Sequence, residues 1–110
     1  MLYLSHPIAE HYTSAHMVGV GGIGMSGLAQ WLLSRGLAVS GCDLSESPIT
    51  ERMRRSSIPV EIGHAASHID GADLVVHTLA ASDDNPEIKA AREKGLPVLS
   101  RAQLLGHIMD

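Results

Sequence analysis

The stretch that most constrains this chain is Met17-Val18-Gly19-Val20-Gly21-Gly22-Ile23-Gly24-Met25-Ser26-Gly27. Ala15 to Val20 reads as a buried strand and Met25 to Arg35 as a helix with one apolar face, so the glycines stand at a strand-to-helix turn. The first N–H groups of such a helix lack intrahelical partners, and with the macrodipole behind them they favour an anion, a phosphate above all. The spacing G-x-G-x-x-G gives each glycine a task. Gly19 makes the tight turn, Gly21 lets a pyrophosphate approach the backbone, and Gly24 lets the helix lie close to its strand.

The rest of the chain repeats the same alternation. Leu37 to Asp43 reads as a second strand after a stop at Gly36, and Asp43 stands 19 residues beyond Gly24. A doubly wound domain places there a carboxylate that accepts from a ribose or from loop amides; a plain Asx turn is the other reading. Ser45-Glu46-Ser47-Pro48 opens a helix that runs to about Arg55. Val60-Glu61-Ile62 is a third strand leading into Gly63-His64, where His64 is either a solvated loop residue or a rim residue able to reach a base. Leu74 to Thr78 is an apolar run suited to the middle of a parallel sheet. Asp84-Asn85-Pro86-Glu87 caps a helix ending near Lys94-Gly95, Leu96 to Ser100 is a fifth strand, and Arg101 to Met109 is a last helix. Strands alternating with helices predict an α/β, Rossmann-like doubly wound parallel sheet of about five strands in a single domain, with right-handed crossovers. Its ligand edge carries the glycine loop, Asp43, His64 and the loop from Thr78 to Ala81.

Composition narrows the classes. With 110 residues there is room for one core. A formal charge of −4 excludes a general nucleic-acid binder, and Arg52, Arg54 and Arg55 read as a solvated helix face. One cysteine, Cys42, excludes an intrachain disulfide and fits a reducing compartment, and no apolar run is long enough to cross a membrane. The expected location is the cytoplasm. Residues 1–14 have no clean period and are read as a leader that either drapes over the sheet or stays mobile. Seven histidines invite a metal, and His64 and His68 are spaced as on one helix face. No third ligand stands at a matching spacing, so no metal site is expected.

Three stretches make the pattern more specific than its glycines. Val18 to Gly27 with Ser40-Gly41-Cys42-Asp43, then Ser82-Asp83-Asp84-Asn85-Pro86-Glu87, then Pro97-Val98-Leu99-Ser100-Arg101-Ala102, closely resemble the N-terminal domain of the Mur ligases over Ala15 to Asp110. The resemblance implies a domain that holds the UDP part of UDP-N-acetylmuramate. The complete enzyme would have two further domains, one for ATP and one for the amino acid. With ATP and Mg²⁺ it would activate the muramoyl carboxylate as an acyl phosphate for attack by L-alanine. This chain has no G-x-x-x-x-G-K-[ST] loop, so by itself it is expected to bind substrate without catalysing and to hold no cofactor. Carried over by position, Gly21, Gly22, Ile23, Gly24, Met25 and Ser26 would lie against the diphosphate, and Asp43 near the uridine. His64 would sit beside the base, with Thr78, Leu79 and Ala80 along the same cleft. Arg101 receives no role. The family commonly has two serines near His77-Thr78 and Ser or Thr at Cys42, so this chain departs at both places. The alternatives are the related ligase that attaches recycled murein tripeptide to UDP-N-acetylmuramate, and an NAD-binding domain in which Asp43 takes a ribose.

Overall fold

The computed structural model describes residues 11–22, 24–78 and 84–109. Among these residues ten elements follow one another: β1 (Ser14–Val18), α1 (Met25–Ser34), β2 (Ala38–Asp43), α2 (Pro48–Arg55), β3 (Val60–Ile62), a 3₁₀ turn (Ala66–Ile69), β4 (Leu74–His77), α3 (Pro86–Glu93), β5 (Val98–Ser100) and α4 (Arg101–Met109). The five strands are all parallel, in the order β3-β2-β1-β4-β5. The expected fold class is therefore the observed one. The strand order reverses at β1, so the crevice beyond the C-terminal ends of β1 and β4 is the switch point at which such sheets bind ligands.

Period-2 alternation divides the strands between two cores. Ala15 and Met17 of β1, Val39 of β2, and Leu74 and Val76 of β4 face the larger one, with Met25, Leu28, Ala29 and Leu32 of α1, Met53 of α2 and Leu104 of α4. The spacing 25, 28, 29, 32 is one stripe of an α-helix, which is why α1 lies flat on the sheet. Val18, Cys42 and Val75 face the smaller core, with Ile69 of the 3₁₀ turn and Ala91 of α3. His16 is buried as fully as its apolar neighbours, at 1% exposure. Its partner in register on β2 is Ser40.

Three helices end alike. Leu37, Ile58 and Leu96 donate their N–H groups back to Leu32, Met53 and Ala91, with Gly36, Ser57 and Gly95 in the left-handed region just before them. Each such ending turns the chain toward the next strand. Strand β1 stops at Val18, two residues short of the sequence expectation, because Gly19 at φ +78° already turns the chain.

The end of the expected leader is tied down at Thr13 and Ser14. The Asp73 carboxylate at the start of β4 accepts from the Thr13 amide at 2.9 Å, the Ser14 amide at 3.0 Å and the Thr13 hydroxyl at 3.1 Å. Residues 1–10 lie outside those described. Burial pushes the Asp73 carboxyl up, but donation from Thr13 and Ser14 outweighs it and the net displacement is downward. The folded state thus holds this proton less tightly than the unfolded chain. The clamp's contribution is complete above the ordinary carboxylate value of about 3.9 and is lost as pH falls through the lower folded value. Asp73→Ala should cost about 1–2 kcal/mol at neutral pH. Urea unfolding of parent and variant should show that difference, and the gap should close in acid.

Candidate functional site

The glycine turn is built from backbone. The N–H groups of Gly19 and Val20 both donate to the carbonyl of Cys42, at 2.9 and 3.0 Å, which fastens the turn to the end of β2. Gly22 donates to Gly19 at 2.9 Å and Met25 to Gly22 at 3.1 Å, closing the loop into α1. Asp43 Oδ2 accepts from Gly21 N–H at 2.7 Å while Oδ1 accepts from its neighbour Leu44 at 2.7 Å. Of the readings open for Asp43, the loop-amide one is observed.

Gly19 makes the tight turn expected of it, at φ +78°, while Gly21 and Gly24 do work that differs from their expected tasks. A Cβ on Gly21 would stand 2.5 Å from Asp43 Oδ2, so this position is glycine to admit the carboxylate, and its N–H is already taken. Gly24 is the N-cap of α1 in the left-handed conformation, and a Cβ there would meet Arg101, not β1. The close approach falls to Gly22, whose Cβ would stand 2.7 Å from Thr78 Cγ2 at the end of β4. Met25 is fully buried in the larger core, so its side chain is turned away from the turn's open side. Ser26 is half-buried in the first turn of α1.

Helix α1 has no side-chain cap and no acid in its first turn. The contrast with its neighbours is informative. Helix α2 has a capping box between Ser47 and Thr50, and α3 is capped by Asn85, whose Oδ1 accepts from Glu87 and Ile88 at 2.9 and 3.2 Å. Each of those two also carries a glutamate in its first turn. The positive end of α1 is left to something outside its own side chains.

A cleft of about 210 Å³ opens beside this turn, lined by Val18, Gly19, Gly22, Asp43, Leu44, His64, Thr78 and Asn85. Gly22, Asp43, His64 and Thr78 are among the residues expected there; Ile23, Leu79 and Ala80 lie outside the described residues. Leu44 and Asn85 were not anticipated. Leu44 is 73% exposed, an apolar wall beside Asp43. Arg101 also gains a place, with Cδ and Nη1 each 3.1 Å from where a Gly24 Cβ would stand.

His64 is not the solvated loop residue of one reading. Its Nδ1 lies 2.7 Å from Oε1 of Glu87, a carboxylate with no solvent exposure. The same oxygen accepts from Cys42 Sγ at 2.8 Å and lies 3.4 Å from His68 Nδ1. His16 Nε2 is 3.4 Å from Cys42 Sγ, and its Nδ1 is 2.8 Å from Ser40 Oγ. His64 and His68 do not share a helix face, because only His68 is within the 3₁₀ turn. The missing third ligand is nonetheless supplied by the fold: His16, Cys42, His68 and Glu87 offer ligand atoms all within 4.8 Å of one another. Burial lowers the His16 pKa to about 4, against the Glu87 charge, so its ring is neutral. Burial, then the hydrogen bond to Glu87 and its charge, push the Cys42 thiol far up. Burial also raises Glu87, but hydrogen bonds from Cys42, His64 and its own amide hold it below the usual range, as a carboxylate.

The sequence model described as Mur ligase family, catalytic domain, matches residues 14–110. The chain belongs to the Mur ligase family. A UDP-N-acetylmuramate–L-alanine ligase of Syntrophobacter fumaroxidans is 52% identical over 101 residues, covering 91% of this chain and 22% of that protein. Among solved structures, a UDP-N-acetylmuramate–alanine ligase from Thermotoga maritima superposes with a TM-score of 0.81 at 39% identity, over 86% of this chain and 22% of its own. A UDP-N-acetylmuramate:L-alanyl-γ-D-glutamyl-meso-diaminopimelate ligase from Neisseria meningitides follows at 0.76 and 32%, over 84% and 30%. This Mur ligase chain thus spans about a fifth of the length of the curated relative it matches. Among its described residues no helix is long and apolar enough to cross a membrane.

The Asp43 tether gives a test within this domain. Asp43→Ala removes a charged acceptor from two loop amides, an interaction of about 1.5–3 kcal/mol. Gly21 and Leu44 amide hydrogens should exchange roughly 10–100-fold faster in the variant, read by NMR. Unchanged exchange would mean that Asp43 does not hold the loop.

Proposed function

We propose that this domain binds the UDP part of UDP-N-acetylmuramate, as the N-terminal domain of a cytoplasmic ligase that adds L-alanine to it with ATP and Mg²⁺. The observation that carries this reading is the uncapped α1 N-terminus, opening with its glycine turn on a cleft that also holds Asp43, His64 and Thr78. The diphosphate lies across the turn and the positive end of α1, with Arg101 beside Gly24 as a neutralising cation. Asp43 keeps the Gly21 amide and accepts a ribose hydroxyl on its remaining lone pairs. Leu44 supplies an apolar wall for the uracil ring, and His64 sits at the rim. Family membership and the 52% identity to an L-alanine ligase support this choice of substrate over a dinucleotide.

The rest of the enzyme completes the site. A cleft of about 210 Å³ is smaller than the several hundred Å³ that ligand pockets of this kind occupy. The domain is one wall of the site, and two further domains, one holding ATP, close over it. The chemistry belongs to the assembled protein. Alone, the chain binds substrate and turns nothing over.

Titration of the chain with UDP-N-acetylmuramate and with NAD, followed by calorimetry and amide shifts, tests the reading. Binding of the UDP-sugar with shifts at Gly21, Gly22, Asp43 and His64 is the expected outcome; binding of NAD alone would overturn it. Gly21→Val should abolish UDP-sugar binding with the fold kept, because its side chain displaces the Asp43 carboxylate. Arg101→Ala should weaken binding about 10-fold, roughly 1.4 kcal/mol. In the complete protein, ATP hydrolysis that depends on L-alanine, and not on a murein tripeptide, separates this ligase from its tripeptide-adding relative.

A further inference from the structure

We propose that His16, Cys42, His68 and Glu87 form a binding site for a borderline-soft divalent metal, zinc foremost, on the face of the sheet that carries the smaller core. The four ligand atoms come from β1, β2, the 3₁₀ turn and α3, and all lie within 4.8 Å of one another. Two imidazole nitrogens, one sulfur and one carboxylate oxygen make a donor set that suits tetrahedral Zn²⁺ and does not suit Mg²⁺ or Ca²⁺, which take oxygen.

Two edges of the cluster already have the length the ion requires. Zinc–nitrogen and zinc–sulfur bond lengths put neighbouring ligand atoms of a tetrahedral site about 3.3–3.6 Å apart. His16 Nε2 to Cys42 Sγ is 3.4 Å and His68 Nδ1 to Glu87 Oε1 is 3.4 Å. The edge from Cys42 Sγ to Glu87 Oε1 is shorter, at 2.8 Å, and is bridged by the thiol proton. Metal entry releases this proton to solvent and leaves a thiolate, since a coordinating thiol ionises outright. A metal-bound imidazole is neutral, so with one thiolate and one carboxylate among the ligands the charges of the loaded site sum to zero.

A second, independent observation points to a cation. Glu87 has no solvent exposure, and its Oε2 is buried with no hydrogen-bond partner among the described residues. A buried carboxylate with one oxygen unsatisfied is costly unless a positive charge compensates it. The surroundings are prepared as well. Ser40 Oγ can accept a hydrogen bond from His16 Nδ1–H at 2.8 Å, which leaves the Nε2 lone pair facing Cys42, the arrangement seen around histidine ligands of metals. His64 Nδ1, 2.7 Å from Oε1, supplies an outer hydrogen bond to the ligating carboxylate.

Cobalt titration of the chelator-treated chain, with Zn²⁺ as competitor, tests the proposal. One Co²⁺ should bind per chain with thiolate-to-cobalt charge-transfer absorption and the intense visible bands of a tetrahedral ion, and one equivalent of Zn²⁺ should abolish both. Cys42→Ser should lose the charge-transfer absorption, and it and His68→Gln should each weaken Zn²⁺ at least about 10-fold. Ser40→Ala, changing a positioning residue, should weaken it about 10-fold while keeping the thiolate band. Far-UV circular dichroism checks that each variant is folded. If Cys42→Ser fails to fold, the parent spectrum and His68→Gln still decide. A cobalt spectrum without thiolate character, or equal Zn²⁺ affinity in the parent and His68→Gln, would place any metal elsewhere, as on the exposed His11 and His107, and would overturn the assignment.

Discussion

Strand β1 is hydrogen-bonded on both edges, to β2 and to β4, and its side chains are buried on both faces from Ala15 to Val18. No shift of register is open to it, because a slip of one residue would move Met17 out of the larger core and His16 into it. That rigidity is what the turn at Gly19 depends on. Cys42 sits beside Val18 in the β1–β2 register, so its carbonyl arrives where it can hold the first two amides of the turn. Asp43, one residue further, arrives at Gly21. The place where an anion meets α1 is thus set by strand pairing as much as by the glycines.

The contrast among the helix starts follows the same logic. Ser47 and Asn85 keep the ends of α2 and α3 satisfied from within. The α3 end, whose cap Asn85 also lines the cleft, is already satisfied, so capping α1 in the same way would fill the helix end that the cleft leaves open. A missing cap there costs the isolated fold some stability and leaves a binding site.

The elements were legible because periodicity announces them: 25, 28, 29 and 32 for α1, the β-branched run for β4, and Ser47-Pro48 and Asn85-Pro86 for two helix starts. What lay hidden was pairing at long range. G-x-G-x-x-G names three glycines but not their neighbours. That Asp43 fills the space at Gly21, Thr78 the space at Gly22 and Arg101 the space at Gly24 depends on register and crossover. Glu87 was hidden for a different reason. An acid in the first turn of a helix has an ordinary explanation in the helix dipole. Its burial against Cys42, His64 and His68 comes from the contact between α3 and the 3₁₀ turn, which no local pattern records. Even so, a signal was present. His16 occupies an inward position of a strand otherwise suited to an apolar face, and a histidine there needs polar company.

Thr78 lies across both Gly19 and Gly22, its methyl standing where a Cβ on Gly22 would go. The two positions therefore form a single steric unit divided between the first and fourth strand ends. A methyl group can occupy that volume from one side only. A lineage that replaced Gly22 with alanine while Thr78 kept its methyl would pass through a distorted loop. Exchanging Thr78 for serine first would leave the space open, so the order of the two changes, and not just their identity, decides which evolutionary routes stay folded.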